Sequence, residues 1–225
     1  NYLLAKFARA ALRTNNVDSD TRLYDAPTFT ALLRQLNFGA ATNTIDEIEQ
    51  AQLILLVGAN VTQTHTEVGA RIQRAARKGA QLIIADPRQI PLSKFARLQL
   101  CPKAGTDALW LNGFIKIIVD EGLYNKEFIE AHTADFELLK AALANDKYSA
   151  EQIEKLTGIT ADDLHTAAKL YATAKSALII YSTGITQHPT GTDNVTALCN
   201  LALITGHLGK QGSGILALQL QNNSQ

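Results

Sequence analysis

Short runs of apolar residues, each closed by glycine or by polar residues, punctuate the chain. They cover residues 53–57, 82–85, 98–101 and 177–182. Apart from Gln99 in the third run, these runs have no inner polar position, which is typical of strands covered on both faces, as in a parallel sheet. An amphipathic segment over residues 67–78 lies between the first two runs and predicts a helix. Strand, helix and strand together indicate a βαβ unit.

Apolar residues at helical spacing predict helices around these strands. The predicted helices cover residues 2–13, 27–39, 106–122, 125–129, 135–175 and 192–205, with breaks at Asn145 and Gly158. Residues 18–25 and the glycine-spaced segment 206–214 are predicted as loops. The pattern therefore predicts an α/β fold with an open, mostly parallel sheet and helices on both faces, Rossmann-like in architecture. We expect residues 1–225 to form one central α/β domain, with residues 122–175 as a helical excursion within it.

Polar residues follow the ends of three predicted strands. Asn60 follows the first strand, Asp86 ends the second, and Asp107 comes shortly after the third. The carboxyl ends of parallel strands share one edge of the sheet, and ligands bind there in open α/β folds. We therefore expect these three side chains at a common rim, shaped for a long phosphorylated heterocycle.

The turn after the first strand, Gly58 to His65, has two interpretations. Glycine lets backbone approach a ligand closely, and the free N–H groups of a helix start favour a phosphate. The alternative is an ordinary βα turn capped by threonine. The spacing is not G-x-G-x-x-G, which argues against a plain NAD site.

The other strand ends offer groups for a heterocycle. Asp86 can accept two hydrogen bonds from a guanine edge or a ribose, and the alternative, which taken in isolation is favoured, is a surface pair with Arg88. Gly105-Thr106-Asp107 repeats this arrangement. Gln187 offers an amide donor and acceptor. His188 stands beside a proline without an acidic neighbour and is interpreted as a loop histidine.

Composition narrows the classes of partner. The 225 residues are 46% hydrophobic, and 21 basic residues balance 21 acidic ones, so nothing indicates a nucleic acid or a membrane surface. No apolar run approaches the roughly 20 residues of a membrane span. Cys101 and Cys199 stand far apart, which excludes a disulfide framework or cysteine metal cluster within this chain. Both cysteines are expected to be buried and inert. We therefore expect the protein to reside in a reducing compartment.

Both ends have the pattern of an interrupted sequence. A helical pattern already begins at Tyr2 without a preceding cap, and residues 219–225 are polar chain without a terminating element. We therefore expect an internal piece of a longer polypeptide.

Several motifs recur in the order found in one known family. They are Gly58-Ala59-Asn60, Asp86-Pro87-Arg88, Lys103-Ala104-Gly105-Thr106-Asp107, residues 121–129, Gly184-Ile185-Thr186-Gln187, and Gly191-Thr192-Asp193-Asn194 through Thr205-Gly206. Over the whole chain the sequence resembles the large subunit of molybdopterin oxidoreductases, in particular the formate dehydrogenase alpha subunit.

The resemblance implies a cofactor, molybdopterin guanine dinucleotide with molybdenum or tungsten. Along that cofactor it implies Gly58, Asn60, Asp86, Arg88, Gly105, Asp107, Gly184 and Gln187. The implied partners are the rest of the same polypeptide, with an iron–sulfur N-terminal segment and a C-terminal domain, and electron-transfer subunits. No nucleic acid or direct membrane insertion is expected. The expected location is the cytoplasm, with attachment to a membrane complex through partners.

Three positions depart from the formate dehydrogenase pattern. The resemblance implies a metal-ligating cysteine or selenocysteine followed by histidine where this chain has Tyr24 and Asp25. It also implies a substrate-neutralising arginine where this chain has Gln219. A phenol is a poor substitute for a thiolate, and glutamine carries no charge. We therefore expect no metal ligand here and an active site that is degenerate for formate oxidation, although Asp25 retains the chemistry of a base.

Two alternatives follow from these departures. The substitutions are similar to the G subunit of NADH–quinone oxidoreductases, which keeps the molybdopterin-type fold. In that case the chain belongs to a non-catalytic, nucleotide-binding or scaffold subunit. The second alternative is a nucleotide-binding module without redox chemistry, like the central domain of thiamine enzymes.

Overall fold

A five-stranded, all-parallel sheet forms the centre of the protein in a computed structural model that describes residues 2–18 and 21–219. The strands are β1 (Leu53–Val57), β2 (Gln81–Ala85), β3 (Leu98–Leu100), β4 (Ala177–Tyr181) and β5 (Gly214–Ala217). The strand order is β3-β2-β1-β4-β5, so the two strands beside β1 are second and fourth in the chain.

Helices cover both faces of this sheet. Shorter 3-10 helices lie at Ile45–Gln50, Pro91–Phe95 and Asp146–Tyr148. The α-helices of the described chain are α1 (Tyr2–Ala10), α2 (Thr21–Tyr24), α3 (Ala26–Leu36), α4 (Val61–Thr64), α5 (Thr66–Arg77), α6 (Asp107–Asp120), α7 (Lys126–His132), α8 (Phe136–Leu143), α9 (Ala150–Thr157), α10 (Ala161–Thr173), α11 (Thr183–Thr186) and α12 (Gly191–Thr205). The expected α/β architecture with helices on both faces is confirmed.

Alternate residues of each central strand supply two separate cores. On β1, Leu55 and Val57 face a core shared with α3, α6, α10 and α12, whereas Ile54 and Leu56 face a second core shared with α5. All five residues of β1 are buried, which explains why its sequence shows no polar alternation. The helix after β1 and the helix after β4 therefore lie on opposite faces of the sheet.

The helical segment predicted over residues 122–175 consists of α7, α8, α9 and α10. Its breaks lie near the predicted Asn145 and Gly158, and Gly158 has a φ of +83° that favours glycine. Helices α8, α9 and α10 pack against α6, where Trp110 is fully buried in the larger core. This segment thickens one face of the sheet and leaves the carboxyl ends of the strands open.

Local side-chain signals mark several helix starts. Pro27 lies in the first turn of α3. The Thr44 amide donates to Glu47 Oε1 at 3.0 Å in a capping box, and Asn125 Oδ1 accepts from the Phe128 amide at 3.0 Å. Local side-chain chemistry therefore fixes these starts as the sequence indicates.

Other boundaries were wrong. Helix α3 ends at Leu36, before Asn37 in the left-handed region, and does not continue to Gly39. The predicted helix 106–122 is α6, Asp107–Asp120, and the Thr106 hydroxyl before it donates to the Lys103 carbonyl oxygen at 2.6 Å instead of capping the helix. The predicted helix 2–13 ends at Ala10, and the predicted loop 18–25 contains α2.

The largest omission was β5, which lies inside the segment predicted as a glycine-spaced loop. It pairs in parallel with β4, Ile179 opposite Ile215, and is buried along its length. Cys101 is exposed, contrary to prediction, because β3 ends at Leu100, whereas Cys199 is buried as predicted. The polar terminal segment predicted over 219–225 lies outside the described residues beyond Gln219.

Within residues 2–18 and 21–219, no helix has the length and apolar character needed to cross a membrane.

Candidate functional site

The carboxyl ends of β1 and β4 meet at the point where the chain direction across the sheet reverses. Helix α5 leaves β1 toward one face, and α12 follows β4 on the other. Helices that diverge in this way leave a crevice between two adjacent strand ends, which is where open α/β sheets bind ligands. The strand order alone therefore predicts the place of the site.

Two glycines form the floor of this crevice. The Gly184 amide donates to the Gly58 carbonyl oxygen at 3.2 Å. A Cβ atom on Gly184 would lie 2.4 Å from that oxygen, closer than van der Waals contact allows. Gly58 also has a φ of +55°, which side-chain-bearing residues rarely adopt. Bare backbone is thus exposed to whatever occupies the crevice.

Above these glycines lies a cavity of about 450 Å³, here named the rim cavity. Its volume falls within the range of small-molecule and cofactor sites. It is lined by Gly58, Ala59, Asn60, Gln63, Thr64, Ala85, Asp86, Pro87, Arg88, Pro102, Lys103, Ala104, Asp107, Ser182, Thr183, Gly184, Gln187 and His188. The structure thus brings Asn60, Asp86 and Asp107 to one rim.

Seven of the eight residues predicted along the cofactor line this cavity. They are Gly58, Asn60, Asp86, Arg88, Asp107, Gly184 and Gln187. The eighth, Gly105, does not line it, although its φ of +82° shapes the turn into α6. The lining residues that sequence reasoning did not assign to the site include Lys103, Ser182 and His188. Ser182 ends a predicted strand and the other two lie in the segments that follow predicted strands, so their position was the available signal.

Asp86 is almost fully buried at the end of β2, with 1% of its surface exposed. Its Oδ1 accepts from the Arg88 amide at 2.9 Å and from Arg88 Nε at 3.0 Å, and its Oδ2 accepts from Arg88 Nη2 at 3.1 Å. The alternative to the ligand interpretation, a pair between Asp86 and Arg88, is therefore present in the structure, and the Asp86 carboxylate in this pair is buried. The same contacts hold the carboxylate rigidly at the cavity wall.

Asp107 begins α6 and is 8% exposed. Trp110 Nε1 donates to its Oδ1 at 3.3 Å. Burial raises the pKa of Asp107, and the Trp110 hydrogen bond and the charge of His188 oppose that rise. The charge of Asp86 raises the same pKa. Two carboxyl groups and one imidazole therefore interact across the rim cavity.

The turn after β1 is organised by Asn60. Its Nδ2 donates to Gln63 Oε1 at 2.8 Å, and its Oδ1 accepts from the Thr62 hydroxyl at 3.0 Å. The one-turn helix α4 precedes α5, so the predicted helix 67–78 starts one residue earlier, at Thr66. The residue before α4 is Asn60 and not a threonine cap.

The three positions that depart from the formate dehydrogenase pattern lie in one region of the structure. Gln219 Nε2 donates to Asp25 Oδ2, and the Gln219 carbonyl oxygen contacts His65 Nε2 at 2.9 Å. Burial raises the pKa of Asp25 to about 6, against opposing hydrogen bonds from Thr28 and Gln219. The Tyr24 hydroxyl is buried and has no hydrogen-bond partner within the described part of the chain.

The donor set fits a nucleotide better than a metal. Bare glycine backbone, buried carboxylates and the cations Arg88 and Lys103 suit a heterocycle and its phosphates. Among the described residues no group of three or more His, Cys, Asp or Glu could hold a metal ion. Burial also raises the pKa of the Cys199 thiol to about 12, so it does not serve as a thiolate.

The parallel sheet with a cavity at its switch point defines the class: an α/β domain with the architecture of doubly wound nucleotide-binding proteins. A family model described as molybdopterin oxidoreductase matches residues 1–225. The chain belongs to the molybdopterin oxidoreductase family.

Curated relatives carry formate dehydrogenase names. The F420-dependent formate dehydrogenase subunit alpha of Methanocaldococcus jannaschii is 43% identical over 225 residues, which is 100% of this chain and 33% of the relative. Formate dehydrogenase H of Escherichia coli is 36% identical over all of this chain and 31% of its own length. The chain therefore spans about a third of the length of these relatives.

A solved structure has the same fold. Acetylene hydratase from Pelobacter acetylenicus superposes with a TM-score of 0.76 at 25% identity, over 87% of this chain and 26% of that chain.

Proposed function

We propose that this chain is the central α/β domain of a formate-dehydrogenase-like large subunit that binds molybdopterin guanine dinucleotide at the rim cavity. Residues 122–175 form the helical excursion of this domain. The observation that carries the proposal is the convergence of Asn60, Asp86, Asp107 and Gln187 on one cavity above a glycine floor. The formate dehydrogenase relatives, similar over the whole chain, support the same proposal.

Each predicted residue has a role that matches its chemistry. Asp86 and Asp107 are acceptors for the N–H edge of a guanine, and Gln187 offers both donor and acceptor. Gly58 and Gly184 leave room for the cofactor against bare backbone, and Gly105 gives the turn its shape. Asn60 and Arg88 are placed for polar groups and phosphates. When bound, the cofactor supplies metal-centred redox chemistry, whereas these residues bind and orient it.

The active site is proposed to be degenerate for formate oxidation. Tyr24, Asp25 and Gln219 occupy the positions of the soft metal ligand, its neighbouring histidine and the substrate-neutralising arginine. The hydrogen bond from Gln219 Nε2 to Asp25 Oδ2 joins two of these three substituted side chains, which supports this part of the proposal. The same observation favours a second candidate function, a non-catalytic nucleotide-binding or scaffold subunit in a complex of the NADH–quinone oxidoreductase type.

The proposed partners are the remainder of the same polypeptide, with an iron–sulfur segment and a C-terminal domain, and electron-transfer subunits. The relatives named as alpha subunits support partner subunits. We place the protein in the cytoplasm, associated with a membrane complex only through such partners.

Cofactor analysis of the full-length protein tests the proposal. Molybdenum and tungsten would be measured by mass spectrometry, guanine by acid release, and pterin by fluorescence after oxidation. We expect pterin and guanine in similar amounts, and turnover of formate with a viologen dye near background. Absence of pterin and metal from protein made in a host that assembles the cofactor would favour the scaffold function, and rapid formate turnover would contradict the degenerate site.

A further inference from the structure

Two side chains that do not line the rim cavity support the loop that carries Asp86. Gln99 is the central residue of β3, and Ser93 lies in the 3-10 helix Pro91–Phe95 between β2 and β3. The Ser93 hydroxyl donates to Gln99 Oε1 at 2.8 Å, and Gln99 Nε2 donates to the Asp86 carbonyl oxygen at 3.1 Å. We refer to Gln99 and Ser93 as the loop clamp.

The backbone that follows Asp86 leaves the sheet at this point. The Asp86 amide still donates to the Leu100 carbonyl oxygen at 3.1 Å, whereas Pro87 has no N–H group with which to continue the ladder. The Gln99 amide reaches past the strand end, to the Asp86 carbonyl oxygen and, at 3.5 Å, to the Arg88 carbonyl oxygen. One side chain therefore holds the backbone on both sides of Pro87.

The hydrogen bonds of the loop clamp fix the orientation of the Gln99 amide. The Ile90 amide donates to Ser93 Oγ at 3.0 Å, and the single hydrogen of the Ser93 hydroxyl is donated to Gln99 Oε1. Because Oε1 accepts this bond, the Nε2 group of the same amide faces the carbonyl oxygens of the loop. The reversed amide would bring an acceptor against those acceptors. The clamp therefore presents its donor group to the loop in one orientation.

The Asp86 carboxylate takes its own orientation from this loop. Its three hydrogen bonds within the described chain all come from Arg88, two positions further along the loop. A carboxylate has about four acceptor positions, so one position on Oδ2 remains for a ligand. A small rotation of the loop would turn this remaining acceptor away from the rim cavity.

We propose that the loop clamp is a positioning device for nucleobase recognition: Gln99 and Ser93 orient the Asp86 carboxylate to accept from the exocyclic amino group of a guanine. The inference rests on the proposed function in taking a guanine to lie in the rim cavity. That amino group has two hydrogens, so Asp86 can accept one and Asp107 the other. A site that binds this amino group through buried carboxylates rejects a base that lacks it. Gln99 and Ser93 act through Asp86 and are positioning residues.

Binding of two nucleotides by the full-length protein tests the inference. The protein is made in a host that cannot synthesise the pterin cofactor, which leaves the rim cavity free, and is titrated in a calorimeter with guanosine diphosphate and inosine diphosphate. These probes differ only in the exocyclic amino group, which inosine diphosphate lacks. We expect the wild type to bind guanosine diphosphate about tenfold or more tightly, the ratio that one hydrogen bond to a charged group produces.

Three variants assign this preference to the loop clamp. Gln99→Met keeps the length of the side chain and removes its hydrogen bonds, so the ratio of the two affinities should fall by about fivefold or more. Ser93→Ala should lower the ratio by a smaller factor, because the amide keeps its donor but loses the contact that orients it. Gln81→Met, at the opposite end of β2 from Asp86, is the matched control and should keep the wild-type ratio.

The ratio of affinities separates positioning from a purely structural role. A loss of stability alone, measured as a lower urea midpoint, would weaken the binding of both nucleotides equally. A wild-type ratio in Gln99→Met, or an equal fall in Gln99→Met and Gln81→Met, would overturn the inference and leave the proposed function standing. If Gln99→Met does not fold, Ser93→Ala decides the outcome by the same ratio.

The wild type alone reports on the shared premise. Equal binding of the two nucleotides, or binding of neither, would overturn the inference. Pterin and guanine content of the full-length protein from a cofactor-producing host reports separately on the proposed function.

Discussion

Gly184 and Gly58 pack backbone against backbone where β4 and β1 end. The Gly184 amide donates to the Gly58 carbonyl oxygen at 3.2 Å, and a Cβ on Gly184 would also lie 2.8 Å from Gly58 Cα. The two strands can therefore approach at their ends only because both residues lack a side chain. Both glycines line the rim cavity, so its wall at these two positions is bare backbone.

Gly184→Ala should destabilise the fold and reduce cofactor retention. The added methyl group meets backbone atoms of Gly58, which cannot rotate away, so the strand ends must separate. Overpacking of this kind costs about 1–3 kcal/mol. We expect a lower urea midpoint for the chain and a lower guanine content in the full-length protein.

Gly122→Ala is the matched control for that substitution. Gly122 has a φ of +67° but open space around its Cβ position, so the variant carries only conformational strain, about 1 kcal/mol. Its guanine content should equal that of the wild type. Equal guanine content in both variants would contradict a role for the glycine floor in cofactor binding.

The sequence predicts the parallel strands that carry this site, because each strand depends on a local pattern of apolar residues. Bare apolar runs mark β1, β2 and β4, and parallel strands necessarily bring their carboxyl ends to one edge. The sequence alone therefore predicts that Asn60, Asp86 and Asp107 lie together, as they do in the structure. The same logic did not find β5, since Gly214 opens a four-residue strand after a glycine-rich loop. Only pairing with β4 makes that segment a strand.

Contacts between distant segments could not be predicted. The proximity of Gln219 to Asp25 depends on how β5 and the start of α3 pack, and neither sequence neighbourhood indicates it. His188 was interpreted as a loop histidine because no acidic residue adjoins it in sequence. In the structure its charge acts on Asp107, although the whole helical excursion, residues 122–175, separates the two residues in sequence.

Asp107→Asn should weaken retention of guanine in the full-length protein. A carboxylate can accept from both N–H groups of a guanine edge, whereas an asparagine side chain presents one acceptor and one donor that opposes the second N–H. The loss should be about tenfold or more in affinity. Acid-released guanine per protein measures it, and Asp120→Asn on the same helix is the control, because Asp120 pairs with Lys116 far from the cavity.

His207 should make the fold sensitive to mild acid. It is 1% exposed, its Nε2 lies 3.1 Å from the Tyr171 carbonyl oxygen, and burial lowers its pKa to about 4 from an ordinary 6.5. Below pH 6.5 the unfolded chain binds this proton and the folded chain does not. Stability should therefore fall by up to about 3 kcal/mol between pH 6.5 and pH 4.

Urea unfolding of wild type and His207→Gln across this range checks the effect. Glutamine can still donate to the Tyr171 carbonyl oxygen but does not titrate, so the variant should lose less stability on acidification. His132→Gln on the protein surface should follow the wild-type profile. A wild-type profile that is no steeper than that of His207→Gln would contradict the burial of an uncharged imidazole.

Asp25→Asn should stabilise the chain at alkaline pH and leave it unchanged in acid. The folded pKa of about 6 lies above the ordinary value of 3.8, so the folded chain holds this proton more tightly than the unfolded chain does. Stability from this group therefore falls as pH rises from about 4 to 6, by about 1–3 kcal/mol, and stays low above that range. Asparagine removes the buried charge, so its unfolding free energy should exceed that of the wild type at pH 8 and match it at pH 3.5. The His207 contribution is the same in the wild type and in Asp25→Asn, so it cancels in the difference between their unfolding free energies. Equal unfolding free energies at pH 8 would contradict the prediction, because they would mean that the Asp25 carboxylate is solvated rather than held against neutral partners.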